Sequence, residues 1–309
     1  MQNSESNTQN SALTAVVGAI DRSSSLIRAW PLAGGVSAQV TALELAGPGG
    51  TTRRLVLRQY GPPDLRRDPQ IAEHEFELMQ ALHAAGMPVP APIAFDQSNT
   101  LLPSPFLAIE YVEGATDLAP EQRAAAIPQL AAALAGLHRL DPAGLGVGFL
   151  PRAAELVANA LARPPAAPDD SLGERRIRAA LASWPPDERN RATVLHGDYW
   201  PGNVLWRDGR LAAMIDWEDA ALGDPLADLA NCRLELLWAW GREAMQQFTE
   251  HYLAAAKPDF LATLPYWELW AALRPCGKLQ GWGLAPEDER RMRELHGWFV
   301  AQALEALSL

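Results

Sequence analysis

Lysine is nearly missing from this 309-residue chain. Only Lys257 and Lys278 carry that side chain, so almost every fixed positive charge is an arginine. The totals are 26 Lys plus Arg against 37 Asp plus Glu, a formal net charge of −11. A chain this acidic is a poor fit for a general nucleic-acid or anionic-membrane binder. An anionic cofactor is still compatible, because a local basic contact can oppose the global sign. Cysteine is scarce too. Cys232 and Cys276 cannot make a disulfide framework for a chain of this size. Cys276, in Arg274-Pro275-Cys276-Gly277-Lys278, has no His or Cys at metal-ligand spacing and reads as inert. No apolar run approaches the ~20 residues that span a bilayer. The opening MQNSESNTQN lacks the basic stretch and apolar core of a secretory leader. Together these absences predict a cytoplasmic chain with no nucleic-acid or membrane partner. No repeat occurs at solenoid or propeller period.

What is present divides near residues 112–114. Residues 1–10 are polar and read as a flexible tail, and a helix is expected over 11–20. Ser25–Trp30, Gln39–Leu45 and Arg54–Arg58 read as three strands of an antiparallel meander. The turn Gly34-Gly35-Val36-Ser37 lies between the first two strands, and Gly47-Pro48-Gly49-Gly50 between the second and third. Asp68-Pro69 has the N-cap and first-turn proline signature of a helix. In that helix Ala72, Phe76, Met79 and His83 share one face, with Glu75, Leu78 and Leu82 at its edge. Phe106–Val112 is a strand, broken by Glu113-Gly114. Beyond it, Ala-, Leu- and Trp-rich helical patterns dominate, and Asp224-Pro225 opens a helix through about Trp240. The fold class is α+β, with residues 11–112 as a sheet-rich lobe and 113–309 as a larger helical lobe.

The most informative segment is His196-Gly197-Asp198-Tyr199-Trp200-Pro201-Gly202-Asn203. Asp198 and Asn203 stand five apart in a loop that follows an apolar strand. Asp216 comes thirteen residues later, at the end of Leu211–Ile215, after a hairpin turn at Asp208-Gly209. Such a set of short oxygen ligands is what phosphoryl transfer needs. One carboxylate takes the proton of the attacking hydroxyl, while an amide oxygen and a second carboxylate hold Mg²⁺. Protein kinases use the same Asp-to-Asn spacing. Here Gly197 replaces their Arg, and Asp216-Trp217-Glu218 stands where their D-F-G would be.

The segments HGDYWPGN and IDWEDAALGDPLADLA, in this order and spacing, resemble the aminoglycoside phosphotransferase and choline kinase family. That family is the small-molecule branch of the protein-kinase-like fold. The resemblance runs from about Leu32 to Trp240. It implies a bilobal fold and ATP-dependent phosphorylation of a small-molecule hydroxyl, such as an aminoglycoside-, choline- or homoserine-like acceptor. It implies that Asp198 is the catalytic carboxylate, that Asn203 and Asp216 hold the metal, and that Asp228 buttresses the loop. It also implies that Gly34, Gly35 and Ser37 cover the phosphates, and that adenine bonds to the backbone of Glu110 and Val112.

The lysine shortage bears directly on this resemblance. Kinases place a phosphate-binding Lys on the third strand, and this chain has none before Lys257. Arg58 is the matching residue, keeping the charge but changing the geometry. Glu75 on the next helix is its expected partner, with Glu73 the alternative.

Two other readings stay open. One is a nucleotide-binding protein of the same fold without catalysis. The other is a metal-dependent phosphohydrolase using His196, Asp198, Asp216 and Asp224. Protein substrates fit poorly, since the stretch from Asp216 to Asp224 is too short for a long activation segment. Ten of the eleven tryptophans lie at or after Trp184, and most read as core of the helical lobe. Residues 1–112 hold 7 Lys and Arg against 10 Asp and Glu; residues 113–309 hold 19 against 27. The excess acidity of the second region favours a cationic or neutral acceptor over an anionic one.

Overall fold

A computed structural model of the chain describes residues 2–32, 38–185 and 189–307. The expected phosphate-covering turn, Gly34, Gly35 and Ser37, lies outside the described residues. Two compact units emerge. The first comprises Met1–Glu113 and Ala212–Glu218, and the second Gly114–Leu211 and Asp219–Leu309. The main boundary between them falls between Glu113 and Gly114. The return of Ala212–Glu218, which carries Asp216, to the first unit is a feature that contiguous ranges did not anticipate.

The first unit opens with α1 (Gln2–Ile20), then β1 (Ser25–Pro31), β2 (Ala38–Ala46) and β3 (Thr52–Tyr60). Two helices follow, α2 (Pro62–Arg67) and α3 (Ile71–Ala84), and then β4 (Pro92–Asp96) and β5 (Phe106–Glu110). The strands form one sheet in the order β1-β2-β3-β5-β4. Its register pairs Val40 with Arg58 on β3, and Arg58 with Leu107 on β5. Arg58 is therefore held in a central strand. One face of the sheet is covered by Leu13, Val16 and Val17 of α1, packed with Leu43, Leu45, Leu55, Leu57 and Phe106.

The elements differ from expectation in four places. The first helix starts at Gln2 rather than near residue 11, since nothing between Gln2 and Asn10 is a helix breaker. Asp68 is not the cap of α3 but the end of α2: its N–H donates to Asp64 O at 2.8 Å, and it is extended as a residue before proline prefers. Its carboxylate then accepts from Gln70 N and pairs with His74 Nδ1, so α3 begins at Ile71. The stretch Met87-Pro88-Val89-Pro90-Ala91-Pro92, whose prolines exclude a helix interior, runs into a fourth strand, β4, at the sheet edge where proline is tolerated. Finally, β5 stops at Glu110, two residues before Val112.

The second unit is mainly helical. Its elements up to the informative loop are α4 (Pro120–His138), α5 (Pro142–Leu145), α6 (Ala153–Ala162), α7 (Glu174–Ser183) and β6 (Thr193–Leu195). β7 (Val204–Arg207) follows in this unit, and β8 (Arg210–Met214) begins in it and ends within the first unit. Between these strands Asp208 and Gly209 both take positive φ, 52° and 71°, as a tight two-residue hairpin turn requires. Then come β9 (Ala221–Gly223), α8 (Leu226–Ala239), α9 (Arg242–Ala256), α10 (Leu264–Leu273) and α11 (Pro286–Leu307). β6 pairs antiparallel with β9, Val194 facing Leu222. Helix α8 packs on α9 and α10, and α10 on α7 and α11. Trp267 is fully buried in α10, as the core reading of the tryptophans expects, whereas Trp184 and Trp282 are exposed.

Leu43 has no exposed surface and sits at the centre of the first unit's core. Leu43→Ala should lower stability by about 2–5 kcal/mol, the range for an unrelaxed cavity. Urea denaturation of the purified variant checks this.

Candidate active site

The loop His196–Asn203 leaves the buried strand β6 and is held from below by one carboxylate. Asp228, on the first turn of α8, is buried. Its Oδ2 accepts the His196 N–H at 2.7 Å, and its Oδ1 accepts the Gly197 N–H at 2.9 Å. His138 Nε2 lies 3.1 Å from Oδ2, and His138 Nδ1 lies 2.7 Å from the Tyr252 hydroxyl. With its proton on Nε2, His138 donates to Asp228 and accepts from Tyr252. Burial works against the Asp228 charge, but the bonds from His138 and the His196 amide prevail and hold its carboxyl below the usual range. This is the buttress that the family resemblance implied.

Gly197 turns the chain with φ of 82°, and a Cβ there would collide with the Asp219 carbonyl. The turn therefore needs glycine on both counts. The His196 ring is buried and packs against Tyr199, and its Nδ1 faces the Asp198 N–H at 3.4 Å. Asp224 is buried as well. It accepts from Asn190 Nδ2 at 3.0 and 3.1 Å, and from Leu226 N at 2.9 Å at the start of α8. Both side chains are thus committed to packing and capping, which argues against the ligand set of a phosphohydrolase.

Asp198 is partly exposed. Asn203 Nδ2 donates to Asp198 O at 2.8 Å and to Asp198 Oδ2 at 3.0 Å. The Asn203 amide nitrogen is thereby turned to Asp198. The other Asp198 oxygen, Oδ1, lies 3.4 Å from Arg274 Nη1. Arg274 also donates to Gly197 O and Asn231 Oδ1, each at 2.6 Å, and to Asp219 Oδ2 at 2.8 Å. Sequence reasoning missed this arginine. It stands 76 positions from Asp198 just past α10, and only the packing of α10 on α8 brings it to the loop. Half-buried Glu235 on α8 was missed too. Burial first, and then the Asp198 charge, push its carboxyl up to about 8, with Arg274 opposing.

The first unit holds a second cluster. Arg58 is 11% exposed, and its Nη1 lies 2.7 Å from Asp216 Oδ1 and 3.9 Å from Glu75 Oε1. Its Nη2 pairs with Glu218. Glu75, the expected partner, is thus present as one of three carboxylates; Glu73 instead lies near Gln70 Nε2, at 3.4 Å. Tyr60 OH donates to Glu75 Oε2 at 2.7 Å. Burial works against the Arg58 charge, but Glu75, Asp216, Tyr60 and Glu218 outweigh it and keep the guanidinium protonated. Burial raises Glu75 above its ordinary range despite Arg58 and Tyr60. Asp216 takes φ of 68°, unusual for a side chain other than glycine or asparagine, so the backbone is strained where its carboxylate is presented. Trp217 beside it is buried, its indole donating to Met214 O at 3.1 Å. At the end of β5, the Glu110 N–H donates to Ala91 O at 2.8 Å.

A kinase-like scaffold with an Asp–Asn loop and a buried loop-buttressing carboxylate defines a class of phosphotransferase. The comparisons agree. A profile of the phosphotransferase enzyme family, APH, matches residues 29–276, and the chain belongs to that family. Human acyl-CoA dehydrogenase family member 11 is 28% identical over 199 residues, covering 59% of this chain and 25% of that protein. Stress response kinase A of Shigella flexneri is 30% identical over 193 residues, covering 57% of this chain and 55% of the kinase. The chain thus spans between a quarter and about half of these relatives' length. The aminoglycoside phosphotransferase APH(4)-Ia, in a ternary complex with AMP-PNP and hygromycin B, superposes with a TM-score of 0.65 at 18% identity, covering 94% of this chain and 98% of the other. That likeness shows the fold.

Two outcomes follow from the charges. Arg58→Met leaves three carboxylates without their cation and should cost about 3–5 kcal/mol of stability, with Arg58→Lys losing less; urea denaturation measures both. Glu235 binds its proton more tightly folded than unfolded, so its contribution to stability is full below pH 4.5 and is lost as pH rises through about 8. Thermal melts across that window should fall more steeply for the native chain than for Glu235→Gln.

Proposed function

We propose that this chain transfers the γ-phosphoryl group of ATP to a hydroxyl of a small molecule. The observation that carries this reading is the Asp198 carboxylate, held at one oxygen by Asn203 and at the other by Arg274, in a loop whose amides are gripped by Asp228. A carboxylate oriented in that way can take the proton of an acceptor hydroxyl as its oxygen attacks phosphorus. The bond formed is acceptor O–P, and the bond broken is that between the γ-phosphorus and the ADP oxygen.

Asn203 and Asp216 offer an amide oxygen and a carboxylate, hard donors that suit Mg²⁺. When bound, the metal would neutralise charge on the phosphate oxygens. Arg58 is the first unit's candidate for phosphate contact, since its Nε is buried with no hydrogen-bond partner among the described residues. Gly34, Gly35 and Ser37 would cover the phosphates, and Glu110 and Val112 would take the adenine edge. In this reading residues 11–112 bind nucleotide, and the region from 113 holds the catalytic loop and the acceptor pocket. The acid excess of that region favours a cationic or neutral acceptor. Membership of the phosphotransferase family supports the reaction class. Among the described residues, no helix is long and apolar enough to cross a membrane.

Incubating the protein with ATP, Mg²⁺ and a panel of aminoglycoside, choline-like and homoserine-like alcohols tests the proposal. Acceptor-dependent ADP release is the expected result. Nucleotide binding without turnover would point to a non-catalytic nucleotide-binding protein, and phosphate release from phosphoesters without ATP to a phosphohydrolase. Asp198→Ala should lower kcat by at least about 100-fold, the scale of a lost general base. Nucleotide affinity in a fluorescence titration should be retained.

A further inference from the structure

The loop from His196 to Asn203 contains no lysine or arginine. A carboxylate meant to receive a proton late in a reaction must stay ionised and keep one orientation until the acceptor arrives. Asn203 orients one Asp198 oxygen through a neutral amide. The other oxygen faces the guanidinium of Arg274, from beyond the end of α10, at 3.4 Å. We infer that Arg274 is the positioning residue of this site: one guanidinium fastens the turn at Gly197, the segment at Asp219 and helix α8 at Asn231, and sets the Asp198 carboxylate against them.

Four contacts support this, all within the second unit. Nη1 reaches Gly197 O and Asn231 Oδ1 at 2.6 Å each and stands 3.4 Å from Asp198 Oδ1; Nη2 reaches Asp219 Oδ2 at 2.8 Å. The three firm bonds use the planar fork in a way that a lysine ammonium cannot copy. They also leave the contact to Asp198 longer than a direct hydrogen bond, so the carboxylate is steered without being blocked. The Gly197 turn and the Asp219 backbone already touch, since no Cβ fits between them. Arg274 therefore closes a contact that the backbone begins. Burial works against its charge, but Asp198, Asp219, Glu235 and Asp228 outweigh it and keep it protonated. Asp228 grips the amide side of the Gly197 turn and Arg274 its carbonyl side. The turn is thus held from both peptide faces.

This inference rests on the proposed role of Asp198, so its test has one readout that needs turnover and one that does not. Arg274→Lys retains a charge and is the variant expected to fold; Arg274→Ala is its more drastic companion. In hydrogen–deuterium exchange, the peptide covering residues 196–203 should exchange at least about tenfold faster in Arg274→Lys, with peptides of α4 and α9 unchanged. Unchanged exchange in residues 196–203 would overturn the inference whether or not an acceptor is known. With an acceptor in hand, Arg274→Lys should lose about 10–100-fold in kcat, the scale of a carboxylate misplaced by about 1 Å, with the ATP KM within about threefold. Added guanidinium ion should restore part of the Arg274→Ala activity and none of the Asp198→Ala activity. Native kcat in Arg274→Lys would overturn the positioning role. Absence of turnover in the native chain would instead sink the proposed reaction, leaving exchange to judge Arg274.

Discussion

The buried carboxylate of Asp228 is the contact on which the second unit's chemistry depends. A loop that carries an exposed carboxylate has few apolar atoms to anchor it, so its backbone must be fixed by hydrogen bonds. Asp228 supplies two, to the successive amides of His196 and Gly197. An ionised carboxylate in such a place would be costly if left bare. His138 and Tyr252 complete its shell, and the start of α8 places it where backbone N–H groups favour negative charge. The loop's geometry is thereby tied to the packing of α4, α8 and α9 as well as to its own Gly197.

The first unit solves a different electrostatic problem. Three carboxylates, Glu75, Asp216 and Glu218, gather around Arg58, which is itself fixed by the register of a central strand. In the described structure the guanidinium spends its charge on protein carboxylates. A phosphate at this place would have to share it, and a divalent cation on Asp216 would release part of it. Lysine could not serve as many partners at once, since its ammonium is a point charge without a planar fork. The near absence of lysine from the chain and the density of acids around Arg58 are therefore consistent with each other. The alternative explanation, an ordinary surface ion pair, fails because the Arg58 side chain is almost wholly covered.

Much of the local architecture was legible in the residues. Period-two strands, the Gly-Pro-Gly-Gly turn, the Asp208-Gly209 hairpin and the Glu113-Gly114 break all depend on near neighbours. The misses have local reasons as well. Asp68-Pro69 carries a helix-start signal, but the same aspartate closes α2, and the two roles compete for one backbone. Pro92 hid β4, since proline is tolerated there only because the strand lies at an edge, which no single segment reveals.

By itself, the sequence determined the chemistry on offer: an Asp–Asn loop, a following Asp, an arginine where lysine is usual, and the family to which these belong. Those signals are short-range, with spacings set by one loop and one hairpin, so they survive without any knowledge of packing. Only the tertiary structure decided which groups hold these residues in place. Arg274 and Glu235 lie outside these motifs, and Arg274 joins the Asp198 site because α10 packs on α8. The return of Ala212–Glu218 to the first unit likewise brings Asp216 to Arg58 across 158 positions of chain. Long-range charge pairing depends on distance in space, and distance in space is what a linear pattern does not contain.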